Sequence, residues 1–203
     1  MKKRYWNILS ISLALAICVA VVTTAWAQSP KDYVRGILDK VMAIQTDPAL
    51  AGPAHESERR RQINRIIRAN FDFPMMAKDS LGASYGQLGS GQREEFLNTF
   101  SYLFQESYTS MVLKFLKKEN IKYQGERTQG SKARVKTAIV RPNETIPVTY
   151  LMHRAAGGWI LYDVIVDGVS ILQNYRTQFS QVIRTKGFGF LMERMKLQRR
   201  AIQ

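Results

Sequence analysis

Between positions 159 and 179 the chain reads Trp-Ile-Leu-Tyr-Asp-Val-Ile-Val-Asp-Gly-Val-Ser-Ile-Leu-Gln-Asn-Tyr-Arg-Thr-Gln-Phe. Up to Val166 only Asp163 interrupts the aliphatic and aromatic residues. A β-rich segment with apolar residues on both faces reads as a strand covered on both sides. Asp167-Gly168 then supplies a turn, after which Ile171, Leu172, Tyr175, Phe179 and Ile183 recur at helical spacing. A doubly covered strand that delivers a helix requires a deep apolar interior. That interior is either solid core or a cavity for an apolar ligand.

The N-terminus bears on the compartment. Lys2, Lys3 and Arg4 form a positive head, Ile8 to Val22 is an apolar run broken only by two serines, and Ala25-Trp26-Ala27 is a small-x-small cleavage site. Residues 1–27 are therefore expected to be a cleaved secretory signal peptide, with residues 28–203 forming one domain. Two other readings start from the same stretch. Cys18 raises lipidation, which the bulk of Ile17 before it disfavours, and Tyr5 to Trp26 is long enough for an uncleaved anchor.

Cys18 is the only cysteine, so the processed chain has neither a disulfide nor a thiol nucleophile and must stand on its core. His55 and His153 are the only histidines, which argues against a zinc site. The net charge of +14 falls to +11 once Lys2, Lys3 and Arg4 are removed. Outside the cytoplasm such a surface meets lipid headgroups, lipopolysaccharide or acidic proteins rather than nucleic acid.

Ser29-Pro30 opens a first helix whose apolar stripe is Tyr33, Val34, Ile37, Leu38, Val41 and Met42. A second helix over roughly 55–69 carries Ile63, Ile66 and Ile67 against Arg59, Arg60, Arg61, Arg65 and Arg68. A short helix capped by Asp72 or Phe73 ends at Leu81-Gly82. Ser90 is the expected N-cap of the longest helix, with Glu94 and Glu95 in its first turn. Along it Phe96, Phe100, Leu103, Phe104, Tyr108, Met111, Val112 and Phe115 follow at helical spacing. Antiparallel strands are expected at 121–123, 133–140, 146–154 and 159–166, joined by loops at 125–130, 142–143 and 157–158. A last amphipathic helix begins near Phe188. Helices, then a sheet, then helices make an α+β fold.

Catalytic chemistry is hard to build from these residues. Ser170 does not sit in a Gly-x-Ser-x-Gly elbow, and only coincidence of strand position brings His153 and Asp163 into consideration for a triad. Asp163 reads as a structural carboxylate bonded to backbone or to an arginine. No phosphate loop, metal cluster or carboxylate pair has recognisable spacing. No catalytic residue, metal or cofactor is assigned, and a binding protein is the expectation.

The residues Phe71-Asp72-Phe73, Met76, Leu81-Gly82, Gln92-Arg93, Phe96, Phe100 and Tyr108 form one part of a longer pattern. It continues through Tyr150-Leu151-Met152, Gly158-Trp159, Tyr162-Asp163-Val164, Gly168-Val169-Ser170, Asn174-Tyr175-Arg176 and Gln178-Phe179. This pattern resembles the MlaC family of periplasmic phospholipid-binding proteins, auxiliary to an ABC transporter and also described as toluene-tolerance proteins. The resemblance covers nearly all of the chain after residue 27. Two departures lie in one loop: Ser84-Tyr85 stands where the family usually has Tyr-Trp, and Ser90 replaces a common proline.

The resemblance implies helices packed on a twisted antiparallel sheet of four or five strands that encloses an apolar lipid cavity. It implies a periplasmic carrier with phospholipid as cargo. Its partners would be an inner-membrane ABC transporter complex with its periplasmic substrate-binding ring, and an outer-membrane lipoprotein–porin complex. Such a carrier maintains outer-membrane lipid asymmetry. A hopanoid or other polycyclic lipid is the alternative cargo, because a related branch is associated with hopanoid biosynthesis. An exported enzyme with an apolar substrate cavity and a basic adaptor are the other classes left open.

On this reading Phe96, Phe100, Phe104, Tyr108 and Met111 line one wall of the cavity. Tyr150, Met152, Trp159, Leu161, Val164 and Val166 face them, although strict alternation would put only part of each strand there. Val169 and Tyr175 sit at its mouth. Arg176 is assigned either to headgroup phosphate or to a pair with Asp163, the pair being favoured.

Overall fold

The computed structural model describes residues 28–202, so the expected signal peptide and Cys18 lie outside the described residues. Their order is α1 (Pro30–Thr46), α2 (Glu56–Asn70), α3 (Phe73–Leu81), α4 (Ser90–Phe115), β1 (Asn120–Gln129), β2 (Lys132–Arg141), β3 (Glu144–Ala155), β4 (Gly158–Val166), β5 (Val169–Ser170) and α5 (Ile171–Ile202). The five strands form one antiparallel sheet in sequence order. Each strand therefore passes to the next through a short turn, as antiparallel neighbours can. This is the α+β architecture expected from the sequence.

Local chemistry sets the helix starts. Ser29 Oγ accepts the Asp32 N–H and Pro30 occupies the first turn of α1, which buries Val34, Leu38 and Val41. Asp72 Oδ1 accepts the Met75 N–H at 3.0 Å and so caps α3. The start of α4 differs from expectation. Gly89 is its N-cap, and the Gly89 N–H is donated to Gln92 Oε1 at 3.0 Å. That shift places Ser90 inside the helix and moves Glu94 and Glu95 past its first turn.

Only Ile63 and Ile67 of α2 are buried. Of the arginines on this helix, Arg59 donates to the carbonyls of Leu50 and Gly52, Arg60 pairs with Glu106, and Arg61 pairs with Glu58. Arg65 and Arg68 are exposed.

The sheet corrects two expectations. First, β1 continues from Tyr123 to Gln129 through a register irregularity at Tyr123/Gly125, so the expected loop at 125–130 contracts to a turn around Gly130. An edge strand with mostly exposed polar side chains has no apolar alternation by which to be read. Second, β4 is not covered equally on both sides: Ile160, Tyr162 and Ile165 are only half-buried. Its apolar run comes partly from a bulge. Met152 pairs with Leu161 but Leu151 pairs with Asp163, which leaves Tyr162 as the additional residue. The phase of the strand flips there. Leu161 and Val164, opposite in a regular strand, consequently pair with Met152 and Tyr150, which are two apart on β3.

Asp167-Gly168 makes the expected two-residue hairpin turn, with φ of 48° and 80°. Helix α5 consists of two helical stretches that meet at a break at Gly187, where φ is 83° and ψ 165°. The separate last helix read from near Phe188 is the part beyond this break.

Candidate functional site

Helix α4 presents its rings on one side because Phe96, Phe100, Phe104 and Tyr108 are spaced four apart, a little more than one turn each. All four are buried. Phe96 and Phe100 stack at 5.7 Å between ring centroids, and Phe104 and Tyr108 stack at 4.4 Å with an interplanar angle of 10°. Tyr175 of α5 meets Phe100 edge-on at 5.4 Å, and Phe179 meets Phe96 edge-on at 5.8 Å. From the other side Phe71 reaches within 5.5 Å of Phe104 and 5.9 Å of Tyr108. Met111 is half-buried at the end of this row.

The sheet contributes its own residues to the same buried cluster. Val148 pairs with Val166, Tyr150 with Val164 and Met152 with Leu161, so the expected strand residues fall in register across two strands. Met152, Leu161, Val164 and Trp159 belong to the same buried cluster as the α4 rings, and Tyr150 and Val166 pack against it. Trp159 Nε1 donates to the Gln28 carbonyl at 3.0 Å, and the Arg154 guanidinium lies 4.5 Å from its ring centroid. Val169 stands apart. It is 59 % exposed on the two-residue strand β5 and does not join the cluster. The rings of α4 and α5 thus pack against one another, face to face and edge to face.

Phe71, Phe73 and Phe179 are the residues that the cavity assignment omitted. Phe71 forms a parallel bridge with Leu161, and the Asp72 N–H is donated to the Leu161 carbonyl at 2.8 Å. The segment between α2 and α3 therefore covers the edge of β4 and brings Phe71 beneath α4. The Phe-Asp-Phe motif was visible in the sequence, but its long-range bridge was not.

Tyr108, Tyr150 and Tyr175 carry hydroxyls into or against this buried cluster. Burial pushes the Tyr108 hydroxyl well above its ordinary pKa, helped by Asp163 and by Tyr150 and Tyr175. Burial raises Tyr150 and Tyr175 too, opposed by hydrogen bonding with Thr137 and Ser107 respectively. Tyr108 Oη is buried without a hydrogen-bond partner.

Asp163 is only 6 % exposed, and both of its carboxylate oxygens accept hydrogen bonds. Oδ1 accepts the N–H groups of Val164 at 2.8 Å and Leu172 at 3.0 Å, while Oδ2 accepts the Ser170 hydroxyl at 2.5 Å. Ser170 Oγ in turn accepts the Gln173 N–H at 3.0 Å. Asp163 therefore ties strand, hairpin and helix start together. The favoured Asp163–Arg176 pair is not formed. The Arg176 guanidinium instead lies beside Gly82, its Nε 3.3 Å from where a Cβ would project. Nor is a Ser-His-Asp arrangement assembled, because His153 Nε2 contacts Asp72 Oδ2 at 2.8 Å. Among the described residues no three His, Cys, Asp or Glu side chains gather as metal ligands.

The same sequence pattern matches the profile of the MlaC family, described as "MlaC protein", over residues 35–197. This chain belongs to the MlaC family. It is 21 % identical over 183 residues to the toluene tolerance protein ttg2D of Pseudomonas putida, covering 89 % of this chain and 85 % of that protein. It is 25 % identical over 122 residues to the intermembrane phospholipid transport system binding protein MlaC of Haemophilus influenzae. That alignment covers 57 % of this chain and 56 % of the relative. The fold is also that of a phospholipid-binding protein from Ralstonia solanacearum solved with a phospholipid. The TM-score is 0.73 at 22 % identity, over 87 % of this chain and 98 % of that one.

The departures from the MlaC pattern are accommodated locally. Tyr85 is half-buried against the core, and Arg93 holds its loop by donating to the Tyr85 and Gly86 carbonyls at 3.1 Å each. The surface also carries a basic recess of about 630 Å³, away from the aromatic layers. Arg59, Lys117, Lys118 and Arg141 line it together with Glu119.

Proposed function

We propose that this MlaC-family protein is a periplasmic, non-enzymatic carrier that holds the acyl chains of a phospholipid between α4 and the sheet. Residues 28–203 would form its single domain after removal of residues 1–27. The observation that carries the reading is the α4 ring row sharing one buried cluster with in-register strand residues, in a fold that is also that of a protein solved in complex with a phospholipid. Flat rings packed edge and face can slide over one another and over methylene chains with little change in the chemistry of their surroundings. Parting the two layers would admit the chains and leave the headgroup outside.

The energetics favour such an arrangement. Each methylene hidden from water contributes about 0.8 kcal/mol, so a two-chain lipid with on the order of 30 methylenes costs roughly 20–25 kcal/mol to hold bare in water. A carrier must offset most of that and no more, because binding tighter than a bilayer would prevent release. The proposed route runs between an outer-membrane lipoprotein–porin complex and an inner-membrane ABC transporter complex with its substrate-binding ring. The basic faces of α2, through Arg65 and Arg68, and of the C-terminal part of α5 are the proposed docking surfaces. No described helix is long and apolar enough to cross a membrane.

Phe104→Asp tests the placement of the chains. Phe104 is 1 % exposed and touches Tyr108, Phe71, Phe73, Phe100 and Tyr175. A carboxylate there should sharply lower the phospholipid extracted per mole of folded protein. Unchanged lipid content in a folded variant would remove Phe104 from the site.

A further inference from the structure

The unpartnered hydroxyl of Tyr108 deepens the carrier reading and rests on it. Tyr108 is 8 % exposed, and its Oη has no hydrogen-bond partner within the protein. A buried donor left unpaired is unfavourable and is uncommon in folded proteins. The neighbouring polar groups do not relieve it. The hydrogen bonds that Asp163 accepts come from Val164, Leu172 and Ser170, and none comes from Tyr108. The ring of Tyr108, by contrast, is stacked on Phe104 and lies 5.9 Å from Phe71. Its two ends therefore differ: the ring lies against an apolar wall, and the hydroxyl is a buried donor left without an acceptor.

A diacyl lipid has the same division. Its methylene chains accept no hydrogen bond, and its charged headgroup is the part left in water. Between them lie two ester carbonyls, which are neutral and can only accept. A phosphate at the Tyr108 hydroxyl would add a negative charge where that of Asp163 already acts, in surroundings poor in water. An ester carbonyl meets no such penalty. We propose that Tyr108 is the hydrogen-bond donor for an ester carbonyl of a glycerol-based diacyl lipid, and so sets the depth to which the chains enter.

The prediction separates ester-linked from ether-linked lipid, which differ at the carbonyl oxygens and not in chain burial. The full processed protein is incubated with vesicles holding equal amounts of diacyl and dialkyl ether phosphatidylglycerol of one chain length. The bound lipid is then quantified by mass spectrometry. One hydrogen bond to a buried donor should enrich the diacyl form roughly two- to tenfold on wild type. Tyr108→Phe should bring the ratio to about one, and, having lost an unpaired hydroxyl, should melt above wild type when both are stripped of lipid.

Equal uptake of the two lipids by wild type overturns the proposal while leaving the carrier reading standing. So does an ester preference that survives Tyr108→Phe. Failure of wild type to take up either lipid overturns the carrier reading and this proposal together. Should Tyr108→Phe not fold, Tyr108→Leu takes its place in the same assay and is read against the same two outcomes.

Discussion

Replacing Asp163 by alanine is expected to be among the most damaging single substitutions in this protein. The side chain accepts from Val164 N at 2.8 Å, Leu172 N at 3.0 Å and Ser170 Oγ at 2.5 Å, and it is 6 % exposed. Alanine would leave the first two donors buried and unpaired, whereas Ser170 is half-exposed and can turn to water. Each stranded donor costs about 1–3 kcal/mol, and the loss of a charged acceptor adds to this, so a total of about 3–5 kcal/mol follows. Asparagine keeps an oxygen for the two N–H groups and presents its amide to the Ser170 hydroxyl, which can then accept. It should cost only about 1–2 kcal/mol. Ser170→Ala removes the acceptor for the Gln173 N–H and should cost about 1 kcal/mol, as the loss of a helix cap does. Equilibrium unfolding in urea, with slopes compared across the three variants, measures the series. An alanine variant within about 1 kcal/mol of wild type would refute the claim that Asp163 joins β4 to α5. Equal damage from asparagine and alanine would show that charge, not the number of acceptors, is what matters.

Alkaline pH should destabilise the fold through its tyrosines. Burial raises Tyr108, Tyr150 and Tyr175 above the ordinary value of 10.0. The folded state therefore holds these protons more tightly than the unfolded chain, and stability is complete below about pH 10 and lost as pH rises above it. Unfolding free energies measured either side of that pH, with phenolate absorbance as the reporter, check the direction. Gly187→Ala should cost about 1–2 kcal/mol, since φ is 83° there and no neighbour lies within 4 Å of the added Cβ. Thermal melts resolve that loss. Lys196→Ala removes the pair with Glu95, whose side chains are 43 % and 47 % exposed, and should change the urea midpoint by no more than about 1 kcal/mol allows.

Most of the architecture was legible because its signals are local. The caps at Ser29 and Asp72, the Asp167-Gly168 turn and the break before Phe188 each depend on a few neighbouring residues. The ring row of α4 was legible for the same reason, as its spacing alone sets its side. Non-local arrangements were not. The bulge at Tyr162 made a strand with one buried and one half-buried face resemble a strand buried on both. Edge strand β1 hid its length in polar residues. Arg176 lost Asp163 to backbone donors and Ser170, competition that the sequence does not display. Phe71 entered the aromatic layer through a bridge to Leu161, ninety positions along the chain. Val169, assigned to the cavity mouth by its position at the turn, is exposed on the two-residue strand β5.

The central claim is that the space between α4 and the sheet carries lipid. Native mass spectrometry of the processed protein, purified from the periplasm without detergent and paired with organic extraction, tests it most directly. The account predicts a stoichiometric phospholipid in the native mass and in the extract. A bare protein mass that persists after incubation with phospholipid vesicles would contradict it.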